Sequence, residues 1–387
     1  MAMRQWPRRR AVRWGLASVL SLGALVGVLL VTLCITSGCA SIGYLSQSAS
    51  GHIHLLAAAR PVKDAIADPT TPEALRQRLE LTQRMRDFAV TVLKEPDNGS
   101  YRSYADLKRS AAVWNVVAAP ELSLTLQTWC FPVVGCVGYR GYYDLASANE
   151  AAAPLKAQGL EVDVYEVPAY STLGWMNWIG GDPLLSTFVQ WPEGELSRLI
   201  FHELAHQVAY APGDTTFNES FATAVEHIGS QRWMAANASA DVRAKQALTE
   251  SRRQDFHVLV RAWRARLDAM YRSDLPDSDK RVQKAALYAG MRADYAAMRR
   301  DQWSGYTGYD HWFAKADNAT MGTQGAYDDE VGAFERLFAA EGGDFDRFYA
   351  EVRRMAALPR SERDAAMAPY RAPGENPGGG DKNPWPT

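Results

Sequence analysis

The 387-residue sequence has almost no net charge: 42 basic residues stand against 44 acidic ones, for a formal charge of -2. With no basic excess to hold a polyanion, nucleic acid is excluded as an expected partner. Cysteine is scarce as well, with four residues in all, and two of these, Cys34 and Cys39, fall within the first forty positions. A second metal site or a redox pair therefore lacks ligands. No internal repeat divides the chain. What is present is ordinary for a globular enzyme, 47% hydrophobic and 22% charged residues, which argues against wholesale disorder. The length leaves room for one large domain or two lobes around a shared core.

The first forty residues differ from the rest. Arg4, Arg8, Arg9, Arg10 and Arg13 precede an uncharged run from Gly15 to Thr36, rich in Leu, Val, Ala and Gly. A cationic head before an apolar stretch is the layout of an export signal. The run is long enough to cross a bilayer as a helix, so an uncleaved anchor is one outcome. Thr36-Ser37-Gly38-Cys39 supplies the other, because small residues before a Cys resemble the lipobox of bacterial lipoproteins. There, cleavage leaves Cys39 as a lipidated first residue, although Thr36 stands where a Leu is usual. Both outcomes place the remainder outside the cytoplasm. In the lipoprotein case Ala40 and Ser41 lack the Asp of inner-membrane retention, which implies an outer-membrane protein facing the periplasm. Cys130 and Cys136, in Trp129-Cys-Phe-Pro-Val-Val-Gly-Cys136, are close enough for a disulfide closing a short loop in an exported protein.

Periodicity predicts a helix from Thr71 to Leu93, opened by Pro72, with Leu75, Leu79, Met85, Phe88 and Val92 on one face. Short segments rich in Val, Leu and aromatics follow, at Ala111 to Ala118, Leu122 to Trp129 and Val162 to Val167. An Ala-rich helix, Ala148 to Gln158, is kinked or shortened by Pro154. Two further extended pieces are expected at Tyr170 to Gly174 and Leu184 to Val189. A helix from Glu193 to Tyr210 and another from Asn218 to Trp233 flank a Pro-Gly-Asp turn. Beyond Asp241 the pattern is helical, with Val258, Trp263, Leu267 and Met270 forming a buried stripe and Phe334, Leu337, Phe345, Phe348 and Val352 marking others. The class is α+β, a small mixed sheet before the central helix pair and a helical half after it.

Chemistry concentrates in Phe201-His-Glu-Leu-Ala-His206. Four residues of helix bring His202 and His206 to one face, within reach of a single metal ion. Imidazole suits Zn²⁺, and Glu203, at the edge of that face, can take a proton from a zinc-activated water. Two His and a water leave the site one protein ligand short. Asn218 is a natural N-cap for the next helix, and Glu219 in its first turn can serve either as the third ligand or for the helix dipole alone.

His202-Glu-x-x-His206 followed by Glu219-Ser-Phe-Ala222 resembles the gluzincin metallopeptidases, whose third ligand comes from a downstream helix. The wider chain is similar to the predicted aminopeptidases anchored as bacterial envelope lipoproteins. Gly135 to Tyr143, Ala169 to Gly174, Asp182 to Thr187 and Leu199 to Glu226 carry the likeness, with weaker echoes at Asp317 to Ala319, Tyr327 to Leu337 and Phe345 to Arg363. The resemblance implies a zincin-like core, one zinc per chain held by His202, His206 and Glu219, and hydrolysis of a peptide or protein substrate with Glu203 as general base. The Gly-Ala-Met-Glu-Asn strand with which well-known zinc aminopeptidases hold a free α-ammonium has no counterpart here, so endopeptidase specificity stays open.

On this basis residues 1–38 form the leader, 39–105 a helical segment, 106–235 the catalytic core, 236–370 the helical half and 371–387 a disordered tail. Tyr139, Arg140, Tyr142 and Tyr143 either line the cleft, donating to the developing oxyanion, or form a packed turn beside the disulfide. Tyr170 to Gly174 could be an edge strand on which a peptide adds. Glu226 can support the metal from behind, with a surface carboxylate as the plainer expectation; His257 and His311 suit ordinary packing. The rival to an enzyme is an envelope binding or assembly lipoprotein with a structural zinc site. That rival has no use for Glu203 as a base. Intact-mass analysis of the exported protein checks the leader: a lipidated N-terminus at Cys39 is expected, and a chain still beginning at Met1 favours the uncleaved anchor.

Overall fold

The computed structural model describes residues 39–131, 135–169, 181–324 and 330–372. The chain divides into two units, residues 1–54 and 55–387. In the first, residues 39–54 are helical and form part of α1 (Cys39–Ala57). Among the described residues no helix is long and apolar enough to cross a membrane. The run from Gly15 to Thr36, the stretch from Tyr170 to Gly174 and the tail from residue 373 lie outside them.

The second unit opens with β1 (Ala59–Pro61), α2 (Val62–Ala67) and α3 (Glu73–Thr91). Pro72 takes the N-cap of α3 in an extended conformation, since its fixed φ suits the entry and its missing N–H is not needed there. Leu79 and Met85 are fully buried; Val92, just past the last helical residue, is 38% exposed. The same helix buries a charge. Arg86 donates to the carbonyls of Ser100 (3.0 Å), Pro96 (2.5 Å) and Asn98 (3.4 Å), strapping the loop that follows α3 onto the helix.

The extended pieces are β2 (Ser103–Ala105), β3 (Val113–Ala119), β4 (Trp129–Phe131), β5 (Gly135–Val137), β6 (Arg140–Tyr142), β7 (Glu161–Val167) and β8 (Leu184–Leu185), with α4 (Leu145–Ala157) between β6 and β7. They form three small sheets. One has the order β1-β2-β8, antiparallel then parallel; the second, β6-β3-β7, is antiparallel; the third is the β4-β5 hairpin. β3 is buried at all seven positions, as a central strand covered on both faces should be. α4 packs on β3 and β7. It begins three residues earlier than its sequence suggests, because Asp144 caps it by accepting from Ser147 N (2.7 Å), and it continues through Pro154. The expected strand from Leu122 to Trp129 is not one: only Trp129 lies in a strand, Gln127 N makes one bond to Ala118 O (2.8 Å), and Leu124 drops into a helical core. Leu184 to Val189 likewise yields a two-residue strand followed by a turn.

Nine helices follow among the described residues: α5 (Glu193–Ala205), α6 (Thr215–Asn237), α7 (Ala240–Tyr271), α8 (Asp277–Asp301), α9 (Asp310–Lys315), α10 (Asn318–Thr323), α11 (Val331–Ala340), α12 (Phe345–Ala356) and α13 (Arg360–Met367). α5 stops five residues before the expected Tyr210, where Gln207 N and Val208 N bond three residues back, to Leu204 and Ala205, and tighten the chain into a turn. The main core draws on residues from Leu55 to Met367 and includes Phe201, Phe221, Phe334 and Phe348. A second core between α7 and α8 is built on Phe256, Trp263, Met291 and Trp303. Val258, expected in that stripe, is 61% exposed, because Phe256 and Val260 take the inward face.

Two buried polar nodes hold these parts in register. Asn318, fully buried, accepts from the hydroxyls of Tyr271 (2.7 Å) and Tyr288 (2.9 Å) and donates to the carbonyls of Pro120 and Glu121. Asp214 caps α6 by accepting from Phe217 N (3.1 Å), and its other oxygen accepts from Arg363 Nε (2.9 Å) and Nη2 (2.8 Å). Near the end of the described residues Arg371 is ion-paired with Glu330. Asp214→Ala removes a cap and leaves the buried Arg363 guanidinium without its carboxylate. A loss of about 3–5 kcal/mol in denaturant unfolding is expected, and a loss below about 1 kcal/mol would show that the node is dispensable.

Candidate metal centre

α5 begins with Glu193 and Glu195 in its first turn, where carboxylates oppose the helix dipole favourably. Leu196, Ile200, Phe201 and Leu204 are buried along it. His202 stands one turn before the C-cap, and His206 is that cap, still in right-handed helical conformation (φ -57°, ψ -23°), so the four-residue spacing acts as in an unbroken helix. The chain then turns through Gly213 at φ +74°, which glycine alone adopts without strain, and enters α6. The two helices approach closely. A Cβ on Gly229 of α6 would lie 2.7 Å from a Leu93 methyl and 3.0 Å from the Phe201 ring.

The cap of α6 is Asp214, not Asn218 as its sequence suggests. Asn218 lies inside the helix and bonds back across the turn, accepting from Ala211 N (2.7 Å) and donating to Ala211 O (2.9 Å). Glu219 is consequently in the second turn, beyond the strongest part of the dipole, and faces the two His. His202 Nε2 lies 3.2 Å from His206 Nε2 and 3.4 Å from Glu219 Oε2, and His206 Nε2 lies 3.7 Å from Glu219 Oε1. Donors about 2.05 Å from a tetrahedral ion are about 3.3 Å apart. The three side chains thus have the spacing, and the nitrogen–oxygen donor set, to hold one metal ion.

Glu226 corrects the expectation of a surface carboxylate. Only 13% of its side chain is exposed; Oε2 lies 2.9 Å from His202 Nδ1, and Oε1 lies 2.5 Å from Arg198 Nη2. A carboxylate there fixes which His202 nitrogen carries the proton and leaves Nε2 free to ligate. A seven-residue step on α6 places it behind Glu219. No motif marks it.

Electrostatics follow from this crowding. Burial opposes a charge on His202, but the hydrogen bonds to Glu219 and Glu226, with the field of Glu203, hold its pKa well above the ordinary value. Burial and the neighbouring His202 push His206 down to about 4. Glu226 is lowered to about 2: burial opposes the charge, and the His202 contact and Arg198 outweigh it. Glu219 is lowered against its burial by the same two His.

Two residues near the centre carry no sequence signal. Tyr101, with φ +62°, is buried; burial first, then the Glu203 and Asp182 carboxylates, keep its phenol protonated. Glu95 is 3% exposed, and neither of its oxygens has a hydrogen-bond partner among the described residues; burial raises its pKa well above the ordinary carboxylate value, against the opposing pull of Arg86 and His202. Their loop is tied to the end of α5 by Asn98 Nδ2 on Gln207 Oε1 (2.7 Å) and Gln207 Nε2 on Ser100 Oγ (3.1 Å).

Tyr139 is exposed, while Arg140 and Tyr142 lie on β6, with the Arg140 guanidinium 5.6 Å from the centre of the Trp129 ring. Tyr143 is buried beside Arg109. Cys130 and Cys136 face each other across the β4-β5 hairpin and are joined by a disulfide. Cys39 is the first residue of α1, and His227 Nδ1 lies 3.1 Å from Glu335.

Comparison with known proteins gives one family: the model of a family described as putative aminopeptidase matches residues 43–367. No curated protein and no solved structure matches.

Because His202 must give up a proton before Nε2 can ligate, metal binding should release protons, and affinity should climb with pH until the metal-free His202 is neutral. Titration with a divalent ion between about pH 6 and 8 checks this. An affinity constant over that range would mean that His202 is not a ligand.

Proposed function

The chain belongs to the putative aminopeptidase family, and we propose that it is a zinc-dependent peptidase with a zincin-like core. The observation that carries this is the meeting of His202, His206 and Glu219 at ligand spacing, with Glu203 next to His202 on α5. Nitrogen, nitrogen and carboxylate oxygen in a three-ligand set, with a position left for water, is the composition of a catalytic zinc site. A structural site would be closed by a fourth protein ligand, and the metal-competent cluster found among the described residues has three. Zinc bound there supplies a Lewis acid for the scissile carbonyl and lowers the pKa of a coordinated water to about 7.

The remaining work falls to the chain. Glu203 takes the proton of the attacking water and delivers it to the leaving amine as the peptide C–N bond breaks. Glu226 accepts from His202 Nδ1–H, and Arg198 keeps Glu226 ionised, so the ligand tautomer is set before substrate arrives. Tyr101, held protonated close to Glu203, keeps a hydroxyl proton in the vicinity of the reaction. The family description favours removal of N-terminal residues. The export-signal layout of the first forty residues supports a location in the bacterial envelope, with a tether through a lipid on Cys39 or through the apolar run itself and periplasmic peptides as substrates.

Glu203 separates enzyme from scaffold, since it is not counted among the ligands. Glu203→Gln should keep about one zinc per chain while turnover of a peptide selected from a library falls by about 10² to 10⁴. Unchanged hydrolysis removes Glu203 from its role. In the same assay His202→Ala with His206→Ala should abolish zinc binding. Zinc with no hydrolysis of any peptide by the unaltered protein supports the scaffold.

A further inference from the structure

Behind the metal centre a cavity of about 290 Å³ opens between α5, α6 and α7. Its wall brings together Arg198 of α5, Met234 and Ala235 of α6, and Arg243, Ala247 and Glu250 of α7. This is the lower end of the size range of small-molecule pockets, enough for a molecule of six to eight carbons by about that scale.

The charges of the wall are unbalanced. Glu250 is shared by Arg198 Nη1 (2.6 Å) and Arg253 Nη1 (2.8 Å), so its carboxylate is committed. Arg243 donates to the Ala238 carbonyl (2.5 Å) and has no carboxylate partner among the described residues. Arg198 is balanced by Glu226 and Glu250, so the cation of the wall without a carboxylate partner among the described residues is Arg243, which is exposed. Met234 and Ala235, together with Ala247 one turn along the helix from Arg243, supply the apolar part of the wall. A spare guanidinium beside an aliphatic wall suits a ligand with an anionic head and a hydrocarbon body.

The base of the cavity is wired to the metal centre. Arg198 touches Glu250 with one nitrogen and Glu226 with the other (2.5 Å), and Glu226 holds His202 Nδ1 at 2.9 Å. An anion that draws on Arg198 leaves Glu226 a stronger acceptor toward His202, and Nε2 becomes a better donor to a metal.

We propose that this cavity is a ligand site, separate from the metal centre, for a small aliphatic molecule ending in a carboxylate, and that its occupant strengthens metal binding through Arg198 and Glu226. The carboxylate can belong to a short-chain acid or to the C-terminus of a small peptide. The site itself stands without the peptidase reading; the coupling rests on the metal ligands of that reading.

The test uses the purified full chain, with hexanoate, hexanamide and the dipeptide Ala-Leu as probes in calorimetric titration. Hexanoate is expected to bind saturably and hexanamide at least about tenfold more weakly, since a charge-assisted bond to Arg243 is lost. Arg243→Ala should weaken hexanoate by a similar factor, and Ala247→Trp, which fills the cavity, should abolish binding. Tighter binding of Ala-Leu than of hexanoate identifies a peptide terminus as the source, and the reverse identifies an acyl acid. No saturable binding by either acid, equal binding of acid and amide, or undiminished binding to Ala247→Trp overturns the site. Zinc affinity measured with and without saturating hexanoate should rise about threefold or more, and no change overturns the coupling. None of these readouts is hydrolysis, so an inactive protein that binds hexanoate counts against the peptidase assignment and leaves the site standing.

Discussion

Glu226 is the contact on which the centre depends, because it is the point at which two helices share one buried carboxylate. One oxygen faces His202 and the other Arg198, both from α5, while the residue itself belongs to α6. A buried carboxylate survives only when it is paired and hydrogen-bonded. The pairing therefore constrains how α5 and α6 cross, and that crossing also sets Glu219 against the two His. Gly229, which admits Leu93 and the Phe201 ring, permits the approach one turn further along. Asp214 and Arg363 fasten the start of α6 to α13. The metal-competent geometry is thus set by contacts outside the three ligands.

The parts legible in the sequence are those governed by local periodicity. His202 and His206 share a face because four residues make about one helical turn, and Glu219 is identifiable as an acidic residue just after a turn. α3 and the β3-β7 pair are visible through the same rules, since each is long and consistently patterned. Boundaries moved where a competing capper lay nearby: Asp214 precedes Asn218 and takes the cap, and Asp144 extends α4. The leucines at 122, 124 and 126 alternate like a strand, but the segment makes a single bond to β3, from Gln127 N to Ala118 O (2.8 Å), and forms no ladder. Leu122 and Leu124 instead contact the helical core, and Leu126 packs on Val117 and Ala119 of β3.

Residues recruited through tertiary structure left no local mark. Glu226 looks like any helical glutamate until α5 is laid across it. Glu95 and Tyr101 sit in a short loop whose conformation depends on Arg86 donating inward to three carbonyls, an arrangement that hydropathy alone would place outside the core. Val258 shows the opposite effect, an apolar residue at a plausible spacing whose face is turned to solvent by the larger Phe256. Side-chain type at a position indicates what a residue can do. The partner that makes it do so is supplied by another element.

The Asn318 node bears on how the chain reaches this state. Its amide is completed by carbonyls 197 and 198 residues earlier and by tyrosines from α7 and α8. Loop-closure entropy makes such a distant contact slow to form, so the tyrosines of the helical hairpin and the carbonyls after β3 both wait for Asn318 of α10. During synthesis the strand emerges first and stays without this partner until α10 has left the ribosome. The hairpin is then poorly suited to fold as an autonomous module, and cleavage between Glu121 and Tyr271 would leave the two carbonyls on one fragment and Asn318 with both tyrosines on the other.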